Sequence, residues 1–191
     1  MEISAKFLGF LEVYGMKIAV IGYSGSGKST LAQRLGEKLA LPVLHLDTVH
    51  FLPGWKTRER DERMAMVSDF LDRNSVQGWI IDGNYTKLSY ERRMEEADRI
   101  IFLDYPALRC LVRAYKRYFK FKGKTRESMT EGCEEKIDLE FIKWILHDGR
   151  TREIKANYER LAKQYPEKFI RCKNDRQLET AFRNIIGNIN F

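Results

Sequence analysis

Gly22-Tyr23-Ser24-Gly25-Ser26-Gly27-Lys28-Ser29 fills every fixed position of the pattern G-x-x-x-x-G-K-[ST]. Before it, Met16-Lys17-Ile18-Ala19-Val20-Ile21 is a short apolar run suited to a buried parallel strand. After it, Leu31, Leu35 and Leu39 recur at helical spacing with Ala32 beside them. Strand, glycine-rich turn and helix therefore follow in the order that builds a phosphate-binding loop. Glycines at 22, 25 and 27 let successive N–H groups turn inward as an anion nest. The unpaired N–H groups and dipole of the following helix add to the attraction. In such a loop Lys28 reaches the β- and γ-phosphates and the Ser29 hydroxyl is a Mg²⁺ ligand, which makes ATP with Mg²⁺ the expected cofactors. Gly22, Ser24, Gly25, Ser26, Gly27, Lys28, Ser29 and Thr30 are the expected contacts with the nucleotide phosphates.

Apolar runs at Pro42–Asp47, Trp79–Asp82, Ile100–Asp104 and Phe169–Cys172 supply four more strands, separated by segments of helical periodicity. Strands alternating with helices over 191 residues predict an α/β fold, a doubly wound and mainly parallel sheet in one domain over 16–191. Residues 1–15 precede the first strand and read as an extension outside that fold. They lack the basic n-region and continuous apolar core of a signal peptide. No run of eighteen apolar residues occurs, so no membrane span is expected. Cys110, Cys133 and Cys172 are odd in number and widely spaced, which suits a reducing cytoplasm and argues against a disulfide framework or a zinc site.

Two acids end strands, at the sheet edge where open α/β folds bind ligands. Asp82 precedes Gly83 and is the candidate Mg²⁺ partner, directly or through water; capping the next turn is its ordinary alternative. Asp47 is a candidate base for an acceptor hydroxyl, a second-sphere Mg²⁺ partner, or a turn residue before Thr48. His50 and Trp55 are candidates to line an acceptor pocket, with packing as the ordinary role of each.

The chain carries 34 basic and 27 acidic residues, a net charge of +7. Seven of the basic side chains lie between Arg113 and Arg126 with no acid among them. This run reads as a solvated helix face, or as a lid over about 118–150 that brings Arg113, Arg117 and Arg126 to the transferring phosphoryl group. A third reading is a nucleic-acid patch interleaved with Tyr115, Tyr118, Phe119 and Phe121. The acidic, glycine-containing stretch that follows suits a hinged flap better than a continuous DNA-binding face, which leaves weak nucleic-acid binding as the lesser expectation.

Leu44-His45-Leu46-Asp47, His50-Phe51-Leu52-Pro53-Gly54-Trp55, Asp82-Gly83-Asn84-Tyr85 and Glu131-Gly132-Cys133, with the loop, give the chain a resemblance to bacterial DNA topology modulation proteins (FlaR-related). The resemblance runs from about Met16 to Phe182. That family is similar to adenylate kinase and other small phosphate-loop kinases. It implies five strands in the order 2-3-1-4-5, a helical lid between strands four and five, and ATP with Mg²⁺. The family name implies an effect on DNA topology, whereas the motifs imply phosphoryl transfer. Nucleoside monophosphate kinases usually carry Asp-Gly-x-Pro-Arg after strand three. Here Asn84-Tyr85 follows Asp82-Gly83, so the arginine that grips an acceptor phosphate is missing from that position. Arg92 and Arg93 are the candidates to stand in for it. An acceptor hydroxyl served by Asp47, as the resemblance to shikimate and gluconate kinases implies, is the competing arrangement. The expected function is thus an ATP-dependent phosphotransferase for a small acceptor; the alternative is a nucleotide-dependent DNA-binding regulator.

Replacing Lys28 by Ala removes a preorganised charge from the transferring phosphates. The expected loss of turnover is roughly 10²–10³-fold. A folded Lys28→Ala protein with normal turnover removes the role assigned to the loop.

Overall fold

The computed structural model describes residues 15–187. Apart from Gly15, the extension expected at 1–15 lies outside the described residues. Strand β1 (Lys17–Gly22) runs into the glycine-rich turn and helix α1 (Lys28–Leu39). Strand β2 (Val43–His45), the five-residue helix α2 (Leu46–His50), the two-residue strands β3 (Phe51–Leu52) and β4 (Lys56–Thr57), and helix α3 (Arg60–Arg73) follow. Then come β5 (Trp79–Asp82), α4 (Tyr90–Glu96), β6 (Arg99–Leu103) and α5 (Ala107–Phe121). The chain continues through α6 (Leu139–Leu146), α7 (Arg152–Gln164), β7 (Phe169–Cys172) and α8 (Asp175–Gly187).

Five strands form one parallel sheet in the order β2-β5-β1-β6-β7. Counted among themselves these are 2-3-1-4-5, the expected order. The central strands are buried nearly throughout, as their unbroken β-branched and aromatic runs require. Helices cover both faces. On one, Leu31, Leu35 and Leu39 of α1 bury their apolar stripe beside Phe182 and Ile185 of α8. On the other, Tyr158 and Leu161 of α7 are buried, and the Tyr158 ring stacks on Phe102 of β6 with centroids 4.1 Å apart.

Register decides what meets at the carboxyl edge. Val20 pairs with Asp82, and Asp82 in turn with His45, so the end of β5 lies between the root of the glycine-rich turn and the end of β2. The strand expected over 42–47 is shorter than the sequence suggested. It stops at His45, and Asp47 sits in the first turn of α2. The polar Asp47 and Thr48 do not suit a continuing buried strand, and the Thr48 hydroxyl donates to the His45 carbonyl at 2.7 Å, closing the turn. The hairpin of β3 and β4 had no visible signal, because two residues per strand carry no period.

Helix α2 lies directly on the turn after β5. Gly83 has φ 135°, and a Cβ there would come within 2.8 Å of Leu46 Cβ. Gly83→Ala combines strained backbone with overpacking and is expected to destabilise the protein by about 1–3 kcal/mol. Urea unfolding measures this; an unchanged midpoint would show that α2 shifts freely over the turn.

Candidate active site

The glycine-rich turn opens into one continuous cleft of about 2510 Å³. Gly27 caps α1 in the left-handed region, at φ 98°, with no side-chain cap and no acid in the first helical turn. The first N–H groups of a twelve-residue helix are thus left for an anion. Gly25 is where α5 comes closest, since a Cβ there would meet the Cys110 carbonyl oxygen at 2.4 Å. Ser26 Oγ is fully buried and makes no hydrogen bond among the described residues, an orphaned polar atom inside the turn. These features fit a polyphosphate.

Lys28 Nζ donates to the Tyr23 carbonyl at 3.0 Å, which holds the ammonium over the turn. Burial pushes its pKa below the ordinary lysine range, against the opposing pull of Asp47 and Asp82. Ser29 Oγ donates to Asp82 Oδ2 at 2.8 Å. On the other oxygen of the same carboxylate, Oδ1, His45 Nδ1 lies at 2.5 Å. A hydroxyl and a carboxylate in contact beside a phosphate-binding turn are hard oxygen donors of the kind Mg²⁺ prefers. They are the residues present that fit it. His45 orients Asp82 from behind, a role that a lone histidine in the sequence did not signal.

Across the cleft, Tyr85 donates its hydroxyl to Asp47 Oδ1 at 2.7 Å. Burial, then the Asp47 charge, raises the Tyr85 phenol far above its ordinary value, so it stays a donor. Asp47 also lines the cleft. Asn84 bonds the first glycine of the turn twice: Gly22 N–H donates to Asn84 Oδ1 at 2.9 Å, and Asn84 Nδ2 donates back to the Gly22 carbonyl. Asp82-Gly83-Asn84-Tyr85 thereby touches the Ser29 hydroxyl, the root of the turn and the Asp47 carboxylate.

The three arginines of the basic run lie along the cleft, and each has a carboxylate partner. Arg113 donates to the Ser26 carbonyl at 2.6 Å and pairs with Asp175, so it braces the turn itself. Arg117 and Arg126 converge on Glu135, which is 7% exposed. Burial lowers the Arg117 pKa, and the Arg126 charge lowers it further. Glu135 was not a sequence candidate, since nothing local marks an acid whose partners lie 9 and 18 residues away. Lys116, Lys120, Lys122 and Lys124 are exposed. Of the two arginines named as stand-ins for the missing acceptor grip, Arg92 lines the cleft and Arg93 does not. Arg93 is fully buried under the turn, donating to the carbonyls of Leu88, Tyr85 and Gly83, and Arg92 pairs with Asp72 and Glu96. His50 and Trp55 both line the cleft.

No family model matches the chain, and a search of curated proteins finds no match. Solved structures do match. A shikimate kinase from Acinetobacter baumannii in complex with shikimate aligns with TM-score 0.55 at 14% identity, over 94% of this chain and 98% of its own. TT1252 from Thermus thermophilus aligns with TM-score 0.52 at 14% identity, over 91% and 97%. A gluconokinase from Sinorhizobium meliloti aligns at 18% identity over 93% of each chain, with TM-score 0.46. The chain shares its fold with the shikimate kinase and with TT1252.

Asp82 is bonded to Ser29 and Asp47 to Tyr85, so their variants should fail differently. Asp82→Asn is expected to raise the Mg²⁺ concentration required for nucleotide turnover by about 10–100-fold, as loss of a metal-supporting group does. Asp47→Asn should leave that requirement unchanged. Superimposable Mg²⁺ titrations of wild type and Asp82→Asn would rule out the metal role.

Proposed function

We propose that the chain is an ATP-dependent, Mg²⁺-assisted phosphotransferase that acts on a small hydroxyl-bearing acceptor. The observation that carries this reading is the meeting of Lys28, the Ser29–Asp82 pair and Asp47 along one cleft. Bound Mg²⁺ would neutralise charge on the phosphate oxygens. The other roles belong to the chain. The turn and the amino end of α1 hold the phosphates, and Lys28 stabilises the charge that builds on the transferring group. Asp47, steadied by Tyr85, takes the proton of the acceptor hydroxyl as its oxygen bonds to the γ-phosphorus and the bond to the β–γ bridging oxygen breaks, releasing ADP. The shikimate kinase, whose solved complex holds a small molecule, supports this acceptor class through the shared fold.

In the same reading residues about 118–150 form the lid. Trp144 Nε1 donates to Ser24 Oγ at 3.0 Å, which sets α6 against the glycine-rich turn, and Gln33 of α1 donates to Glu127 at 2.8 Å. The four exposed lysines on and after α5 favour a second reading, a nucleotide-dependent DNA-binding regulator.

The two readings separate in one pair of measurements. A phosphotransferase releases ADP in an acceptor-dependent way across a screen of nucleosides, nucleotides and sugar acids, and Asp47→Asn slows that release by about 10²–10⁴-fold. Its hydrogen exchange between Lys120 and Cys133 slows when an ATP analogue and acceptor bind, without DNA. Tight, steeply salt-dependent DNA binding with unaltered exchange would instead select the regulator.

A further inference from the structure

The cations along the cleft differ in what neutralises them. Arg113 has Asp175, Arg117 and Arg126 share Glu135, Arg92 has Asp72 and Glu96, and Arg34 has Glu179. Arg63, on α3, has no carboxylate partner among the described residues. Its Nη1 lies 2.7 Å from His50 Nδ1, and its Nε donates to the Glu59 carbonyl at 3.4 Å. Burial, and then the Arg63 charge, push His50 below the ordinary imidazole range. A neutral His50 accepting at Nδ1 leaves the guanidinium charge uncancelled. Arg63 is half-buried in the cleft wall, which several aromatic rings also line. Phe51 and Trp55 lie edge to face at 5.1 Å, and Tyr85 and His50 face one another at 4.7 Å.

The contacts also give the cation a position. From Asp47 the sequence of touching groups runs through the Tyr85 hydroxyl and ring to His50 and then to Arg63. Asp47 and Arg63 are therefore joined through a tilted pair of rings, both lining the same cleft. A molecule bound against that pair can present a hydroxyl to Asp47 and a second group to Arg63.

We propose that Arg63 is the anion-binding group of the acceptor site, so that the acceptor is a hydroxylated molecule that also bears a carboxylate or a phosphate. A guanidinium prefers either anion through paired N–H donors in fixed geometry. The assignment rests on the phosphotransferase reading for the hydroxyl end only, because the cation and its neutral partners stand whatever the reaction.

Calorimetry on the full chain tests it with matched pairs, D-gluconate against D-glucitol and thymidine 5′-monophosphate against thymidine. Each pair is run with and without Mg²⁺ and a non-hydrolysable ATP analogue. In at least one pair the anion should bind about tenfold or more tighter than its neutral counterpart. Arg63→Gln should shrink that advantage to about twofold or less, with analogue affinity and melting temperature unchanged, whereas Arg63→Lys should keep part of it. The pair that responds distinguishes carboxylate from phosphate. Equal binding within both pairs, no binding of either anion, or an anion preference that survives Arg63→Gln overturns the proposal. A chain that fails to bind the analogue refutes the phosphotransferase reading instead, and the anion preference is then scored in the runs without nucleotide.

Discussion

One buried cation fixes the turn on which the cleft is built. Arg93 of α4 is 0% exposed and forms no ion pair with a carboxylate among the described residues. Its Nη2 and Nε donate to the carbonyls of Tyr85 and Leu88 at 2.7 and 2.8 Å, with Gly83 at a longer 3.4 Å. Burial lowers its pKa to about 10, which leaves it charged at neutral pH. An unpaired buried charge costs several kcal/mol, so this guanidinium is tolerable only while the carbonyls of 83–88 surround it. The dependence runs both ways. The turn has few ladder hydrogen bonds of its own, and its carbonyls would be buried without partners if the guanidinium left.

That mutual requirement explains how a short irregular segment can hold three parts of the site at once. Asp82 reaches Ser29, Asn84 reaches Gly22 and Tyr85 reaches Asp47. Asn84 matters most for the glycine-rich turn. The last β5-side ladder bond to β1 is Gly83 N–H to the Val20 carbonyl. The Asn84 side-chain amide then meets the N–H and carbonyl of Gly22, one peptide group imitated by a side chain. A proline and an arginine at 85–86, as in nucleoside monophosphate kinases, would leave no Tyr85 to hold Asp47. The departure from that pattern therefore trades an acceptor-gripping arginine for a braced carboxylate.

Features that depend on neighbours in sequence were legible from sequence. The glycine-rich turn announces itself by spacing, and Trp79–Asp82 and Phe169–Cys172 have the bounds that their apolar runs predict. Asp82 was legible because a carboxylate after three apolar strand residues has to emerge at the sheet edge. Asp47 was found on the right side of the sheet but in the wrong element, because Leu46 extends the apolar pattern of β2 while belonging to α2. Arg93 was not legible. A basic residue amid Tyr90-Glu91-Arg92-Arg93 reads as surface charge, and only the closing of the turn around it makes it internal. Glu135 and Arg63 escaped for a related reason: what distinguishes each is the partner it has or lacks in space, and no periodicity encodes that.

The segment after α5 owes its place to an imbalance of charge and to backbone contacts. Two guanidiniums share one carboxylate at Glu135, so the cluster keeps a net positive charge; burial is what chiefly lowers the Lys28 pKa, and Arg117 of the cluster adds to it. A polyphosphate approaching the cleft therefore meets attraction before any partner is exchanged. Thr130 donates its hydroxyl to the Phe51 carbonyl at 2.6 Å, Gly54 N–H donates to Gly132 at 3.1 Å, and Trp55 Nε1 donates to Glu134 at 3.1 Å. These bonds tie the segment after α5 to the β3–β4 hairpin and Trp55, which lie along the cleft wall. Movement of either piece must then strain or break the bonds to the other. The two segments are therefore coupled, and whatever orders one lowers the entropic cost of ordering the other.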